Sequence, residues 1–354
     1  MYIDGNNSES VQVLEREAAP VPVAARAPKA APKAARRPRG KKRRRRLPPG
    51  QRLIKYAILA GALAVSLPWL HQIIAGKDFT AGNARQVTLA PPFELSQELS
   101  EVSKALQGLN RVKTTHPGVF AIELESGKYV NMNGKQPYSA ASMIKIPIMV
   151  SFLSACDKGE CSLDQELEIK EEEITSGSGF LQWRKPGTKL TAKRVAELMM
   201  VVSDNTATNM IIDYLGGKDA VNKNLHRWGL KNTRINNYLV DIEGTNTASP
   251  YDLVYLLGRV DHGELISQKS REFMYEVMAK CKNRSLLPRG LDEDDSIIHK
   301  TGTLGIMIGD AGIVTTGSGK RYAIAVQVER KRNDRRANEL VRDISKVIHD
   351  RFKN

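Results

Sequence analysis

The stretch Tyr138-Ser139-Ala140-Ala141-Ser142-Met143-Ile144-Lys145-Ile146-Pro147 decides how the rest of the chain is read. It holds the only Ser-x-x-Lys in the 354 residues. The small residues Ser139 to Ser142 lead into an apolar run, Met143 to Leu153, that predicts a buried helix. Ser142 then stands at the helix start, with Lys145 on the same face of the first turn. A serine hydroxyl is a poor nucleophile until a base takes its proton. A lysine can be that base if burial or a second cation lowers its pKa. The helix N-terminus also offers free N–H groups to a developing oxyanion. Taken alone, the pair reads more readily as an N-cap serine and a solvated lysine.

Two further signatures follow in order, Ser203-Asp204-Asn205 and Lys300-Thr301-Gly302. Around them stand Gly177-Ser178-Gly179, Thr206-Ala207-Thr208-Asn209, Ala248-Ser249-Pro250 and Asp310-Ala311-Gly312. Each tripeptide is cheap by itself, but three in this order are not. The set resembles the penicillin-recognising serine hydrolases, and most closely the class A β-lactamases and β-lactamase-like proteins, over about residues 93–354. The resemblance implies a β-lactamase/transpeptidase-like α/β (α+β) fold: an antiparallel sheet flanked by helices, with a helical subdomain inserted. It also implies roles. Ser142 attacks a lactam or peptide carbonyl and becomes acylated, and Lys145 takes its proton directly or through water. Ser203 passes a proton to the leaving nitrogen. Lys300 favours neutral Lys145 and attracts a substrate carboxylate, which Thr301 and Thr303 bind beside Gly302. Asn205 holds the substrate's side-chain amide. The N–H groups of Ser142 and Thr303 form the oxyanion hole.

One part departs from the resemblance. Class A hydrolysis needs a glutamate ahead of the Ala248-Ser249-Pro250 helix, in a pattern Glu-x-x-Leu-Asn, to activate the deacylating water. Here the region reads Arg234-Ile235-Asn236-Asn237-Tyr238-Leu239-Val240-Asp241-Ile242-Glu243-Gly244-Thr245-Asn246. Matching from Arg234 puts Leu239 where the glutamate belongs. Glu243, the deacylation candidate, and Asp241 are the carboxylates that a shortened loop offers, though both also read as solvated loop residues. The leading expectation is therefore β-lactam hydrolysis with deacylation in question. A penicillin-binding D,D-peptidase and a non-hydrolysing cell-wall or β-lactam sensor are the alternatives.

Composition sets the surroundings. The net charge of +15 is concentrated: residues 1–55 hold 15 Lys/Arg against 4 Asp/Glu, leaving only +4 for everything after. The basic excess thus argues weakly for nucleic-acid binding by the folded part. Residues 1–55, rich in Ala, Pro and Arg, predict a disordered basic tail. Residues 56–76 are 21 residues with no Asp, Glu, Lys or Arg, enough for one transmembrane helix. The preceding block Lys41 to Arg46 places the tail in the cytoplasm, against anionic lipid headgroups, and the domain beyond the 77–92 linker outside the inner membrane. In that compartment Cys156 and Cys161 are candidates for a small disulfide loop. The six histidines show no metal spacing, so no metal or other cofactor is expected.

Periodicity sketches the order of elements. Helices are expected over 95–109, from Leu190, over 206–215, 250–257 and 272–280, and at the C-terminus. A hairpin is expected over 119–133, and strands near 296–303, 311–314 and 322–328. Residues 222–245 read as polar and turn-rich.

Overall fold

The structure is a computed structural model, and it describes residues 95–354. The predicted basic tail, transmembrane segment and linker lie outside the described residues. No helix among the described residues is long and apolar enough to cross a membrane.

A five-stranded antiparallel sheet organises the domain. Its strands are β1 (Thr115–Glu123), β2 (Tyr129–Met132), β7 (Ser296–Leu304), β8 (Met307–Thr315) and β9 (Arg321–Arg330), in the order β2-β1-β9-β8-β7. The N-terminal hairpin pairs with the last strand, Val119 opposite Val326, so the sheet draws on both ends of the domain. Strand β1 is apolar without alternation because both faces are covered. Val119 and Ala121 pack with α8 (Arg336–Phe352) and α1 (Ser100–Leu109), whereas Phe120 and Ile122 belong to the larger core on the other face.

That larger core holds the inserted helical block. At its centre runs α2 (Lys145–Asp157), buried continuously from Lys145 to Ala155. Helices α3 (Ala192–Val201), α4 (Asn205–Tyr214), α6 (Pro250–Asp261) and α7 (Gln268–Ala279) surround it. Short pairs β3 (Tyr138–Ser139) with β6 (Thr247–Ala248), and β4 (Glu166–Glu168) with β5 (Lys189–Thr191), tie the connections.

Three local expectations change. Ser142 is not at the first turn of an α-helix: it sits in a 3-10 turn, Ala141–Ile144, and the α-helix begins at Lys145. The first helix starts at Ser100, because residues 96–99 run alongside β2 and bond to it, Leu99 N–H reaching Tyr129 O at 2.8 Å. And part of the polar stretch is a helix, α5 (Lys218–Arg227), which buries only Val221 and Leu225.

Candidate active site

The three signatures meet in one cleft of about 200 Å³, lined by Ser142, Ser178, Ser203, Lys300, Thr301 and Thr303, with Cys281, Lys282 and Asn283 on one wall. Each arrives from a different element. Ser142 comes from the 3-10 turn and Lys145 from the start of α2. Ser203 lies in the α3–α4 connection with a left-handed backbone, φ 58°. Lys300, Thr301 and Thr303 come from β7, the edge strand of the sheet. Gly302 lets that strand approach the serine turn: a Cβ there would stand 3.1 Å from both Ala140 O and Met143 N.

The amine of Lys145 is fully buried and held on three sides. Its Nζ donates to Ser203 O at 2.7 Å, Ser203 Oγ at 3.1 Å and Asn205 Oδ1 at 2.8 Å. Burial pushes its pKa well below the ordinary lysine range, the Lys300 ammonium pushes the same way, and Asp204 opposes them. Lys300 is also buried and its pKa is lowered by desolvation, with Cys281 and Asp310 acting in the opposite direction. Its Nζ donates to Thr301 O at 2.9 Å. An amine whose pKa is lowered by burial and by a second buried lysine, next to the Ser203 hydroxyl, is an arrangement that favours proton transfer from a serine.

The loop 176–183 is built onto the second signature. Asp204 caps α4 through Ala207 N–H at 2.9 Å, and its other oxygen accepts from Phe180 and Leu181 N–H at 2.8 and 2.9 Å. Gly179 stands so close that a Cβ would lie 2.2 Å from the Asp204 carboxylate. Asn205 ties Lys145 to the 176–183 loop. Its Oδ1 accepts from Lys145, and its Nδ2 donates to Ser176 O at 3.0 Å, so both ends of the amide hold protein groups.

The deacylation candidate does not reach the site. Glu243 lies exposed on its loop and is absent from the cleft lining. Asp241 is buried but fully engaged within the loop: Oδ1 accepts from Thr245 N–H and Oγ at 3.0 and 2.8 Å, and Oδ2 from Asn246 N–H at 2.6 Å. Leu239, by contrast, is fixed against α4. The Asn209 side chain takes its N–H at 2.9 Å and donates to its carbonyl at 2.7 Å. The side chain of Leu239 packs into the larger core. Asn209 and Ser178 carry roles that sequence reasoning missed, although both stood in the quoted flanks of the second signature.

The candidate disulfide pair is unbonded in this structure. Cys156 and Cys161 are free thiols, and burial pushes Cys156 up to about 12, with Cys161 contributing. Among the described residues one three-residue cluster, Asp292, Asp295 and His349, could geometrically hold a metal ion, but the Lys353 ammonium already lies 2.9 Å from Asp292.

Comparison with known proteins follows the same lines. The family described as "Beta-lactamase enzyme family" matches residues 95–352. The solved structure of PBP-A is 41% identical, with a TM-score of 0.72, covering 73% of this chain and 98% of that one. A leucine-to-glutamate variant of PBP-A, solved as its acyl-enzyme complex with penicillin G, is 40% identical, with a TM-score of 0.72 over 74% of this chain and 99% of that one. β-Lactamase VEB-1 of Pseudomonas aeruginosa is 25% identical over 70% of this chain and 89% of its own length. The D-alanyl-D-alanine carboxypeptidase DacF of Bacillus subtilis is 27% identical over 38% of this chain and 36% of its own. With its three signatures in one cleft and its family matched across the whole described domain, the chain belongs to the β-lactamase enzyme family and is a serine hydrolase of that family.

Proposed function

We propose that Ser142 is the acylated nucleophile of a slow-releasing, penicillin-binding serine hydrolase whose own substrates are peptides of the D-alanyl-D-alanine type. The carrying observation is the buried Lys145 amine, bonded to Ser203 Oγ and Asn205 within the cleft that holds Ser142. Lys145 takes the Ser142 proton as Oγ adds to the amide carbonyl. The tetrahedral oxyanion is met by N–H groups of the serine turn and of the β7 edge. Ser203 then delivers a proton to the departing nitrogen, and the C–N bond breaks to leave an ester on Ser142. Lys300, Thr301 and Thr303 take the substrate carboxylate.

Release is the slow step in this reading. Leu239, Asp241 and Glu243 leave no carboxylate positioned to activate water at the ester. This ranks the peptidase above the β-lactamase expected first from the motifs, while keeping β-lactams as acylating ligands. A sensor without chemistry would need neither a buried Lys145 amine nor Ser203 beside it. The test is incubation with a fluorescent penicillin and with nitrocefin. A stoichiometric, long-lived adduct with a single-turnover nitrocefin burst supports the reading. Rapid multiple turnover of nitrocefin, or labelling undiminished in Ser142→Ala, contradicts it.

The same reading places the domain outside the inner membrane, carried by residues 56–76, with the basic tail against anionic lipid. Its support is the uncharged 21-residue run next to a polybasic block. Release of the full chain from membranes by alkaline carbonate would contradict it.

A further inference from the structure

A second groove, of about 530 Å³, shares no lining residue with the catalytic cleft. Gln107 reaches it from the end of α1, His116 from β1, Asn133 and Gln136 from the β2–β3 turn, and Glu329 from β9. Pro117 and Met132 are its buried apolar part. The polar groups stand open. Among the described residues the side chains of Gln107, His116, Gln136 and Glu329 make no hydrogen bond or ion pair. His116 and Glu329 are directly opposite across β1 and β9, yet do not bond to each other. Asn133 uses only its Nδ2, which donates to Pro117 O at 3.1 Å, and leaves its Oδ1 open.

Buried polar atoms without partners adjoin the groove. The Tyr138 hydroxyl and Gln327 Oε1 make no hydrogen bond, although the two residues are only 4% and 0% exposed. A Cβ on Gly118, which follows Pro117 and lies opposite Gln327, would stand 2.7 Å from the Tyr138 hydroxyl. Burial pushes the Tyr138 pKa up to about 12, and the Glu329 carboxylate adds to the rise, so that charge is close by. Buried hydroxyls and amides are ordinarily bonded, to protein, water or ligand.

The walls select a ligand by their chemistry. No Lys or Arg lines the groove, so an anion finds no counter-charge there. One exposed carboxylate holds a lone cation only weakly. Amides, an imidazole and a carboxylate together offer donors and acceptors in several directions. That set suits a neutral ligand rich in hydroxyls and amides, with a small apolar group to set against Pro117 and Met132. An N-acetylated sugar has this composition. The groove also falls within the roughly 300–1,000 Å³ of sites that enclose a small ligand. Gln136 is six residues ahead of Ser142, at most about 22 Å of chain, so one polymer carrying sugars and peptides can reach both places.

We infer that the groove between Gln107, Asn133, Gln136 and Glu329 binds an N-acetylated saccharide at a site separate from the catalytic cleft. Sugar binding there needs no acylation, so it stands apart from the reading of Ser142. The full chain is titrated with tri-N-acetylchitotriose and followed by saturation-transfer NMR. Saturable binding is expected, weakened about tenfold or more by Gln136→Ala, by Glu329→Gln and by replacing the probe with cellotriose, which lacks the acetamides. Both side chains are exposed, so neither change threatens folding. Labelling of Ser142 by a fluorescent penicillin should stay within about twofold in both variants, and prior acylation by penicillin G should leave saccharide binding in place. No saturation transfer at about 10 mM saccharide overturns the inference. So does binding that both variants retain, binding that acylation of Ser142 abolishes, or tighter binding of spermidine than of the saccharide. If Ser142 takes no label at all, the nucleophile reading fails, and the saccharide titration still decides this site.

Discussion

Leu239→Glu is the perturbation that bears most on why acylation and turnover separate in this protein. Residue 239 is held at both main-chain groups by the Asn209 side chain, at 2.9 and 2.7 Å, so a new side chain there inherits a fixed origin. Its neighbour Val240 packs toward Gly177, beside Ser178 of the cleft wall. Leu239 is 7% exposed, and replacing it removes about 1.5–3 kcal/mol of apolar burial. A domain of ordinary stability, about 5–15 kcal/mol, tolerates that loss. A positioned general base contributes roughly 10²–10⁴ to rate. The acyl-enzyme half-life with a fluorescent penicillin should therefore shorten by about 10²-fold or more, and nitrocefin should be turned over repeatedly. Acylation itself should change little. Burial raises the pKa of a carboxyl, and only the carboxylate is a base, so the gained deacylation should grow as pH rises through the shifted pKa. A folded variant whose adduct lives as long as the parent's would refute the claim that the missing base at 239 limits release.

Other outcomes follow from the same geometry. Lys300→Met removes a cation that depresses Lys145, so Lys145 retains its proton to higher pH; the neutral amine is the base, and the rising limb of the acylation–pH profile should move upward. A limb that stays in place or moves down would count against the coupling. Gly179→Ala puts a Cβ 2.2 Å from the Asp204 carboxylate at φ 94°, which should cost about 1–3 kcal/mol of stability by thermal melting and displace the 176–183 loop. Asp241→Ala removes three hydrogen bonds that close the Leu239 loop and should destabilise by about 1–3 kcal/mol. Glu243→Gln, on an exposed side chain, should leave both adduct formation and release within about twofold; a marked slowing of release would return Glu243 to the site.

The candidate catalytic residues are legible because short local signatures carry them, and the sheet because its strands are apolar runs at both ends of the domain. What escaped depended on contacts across the fold. The sequence of helix α5 reads as turn-rich because the helix buries only Val221 and Leu225, too few to make a period visible. The engagement of Asn205 with Lys145 and Ser176 needs the loop and the helix in place together, and nothing in the tripeptide announces it. Asp241 and Glu243 looked equivalent in the sequence. The turn of the loop buries one among its own N–H groups and leaves the other in solvent. The start of α2 moved because Ala141 and Ser142 adopt a tighter 3-10 turn, which brings the serine against β7 at Gly302.

The most direct measurement is intact-protein mass spectrometry, with peptide mapping, after brief exposure of the domain to penicillin G. One covalent adduct per chain, located on the Ser142 peptide, absent from Ser142→Ala and persisting long after free drug is removed, is the expected result. An unmodified protein, or an adduct on any other residue, would contradict a cleft built around an activated serine.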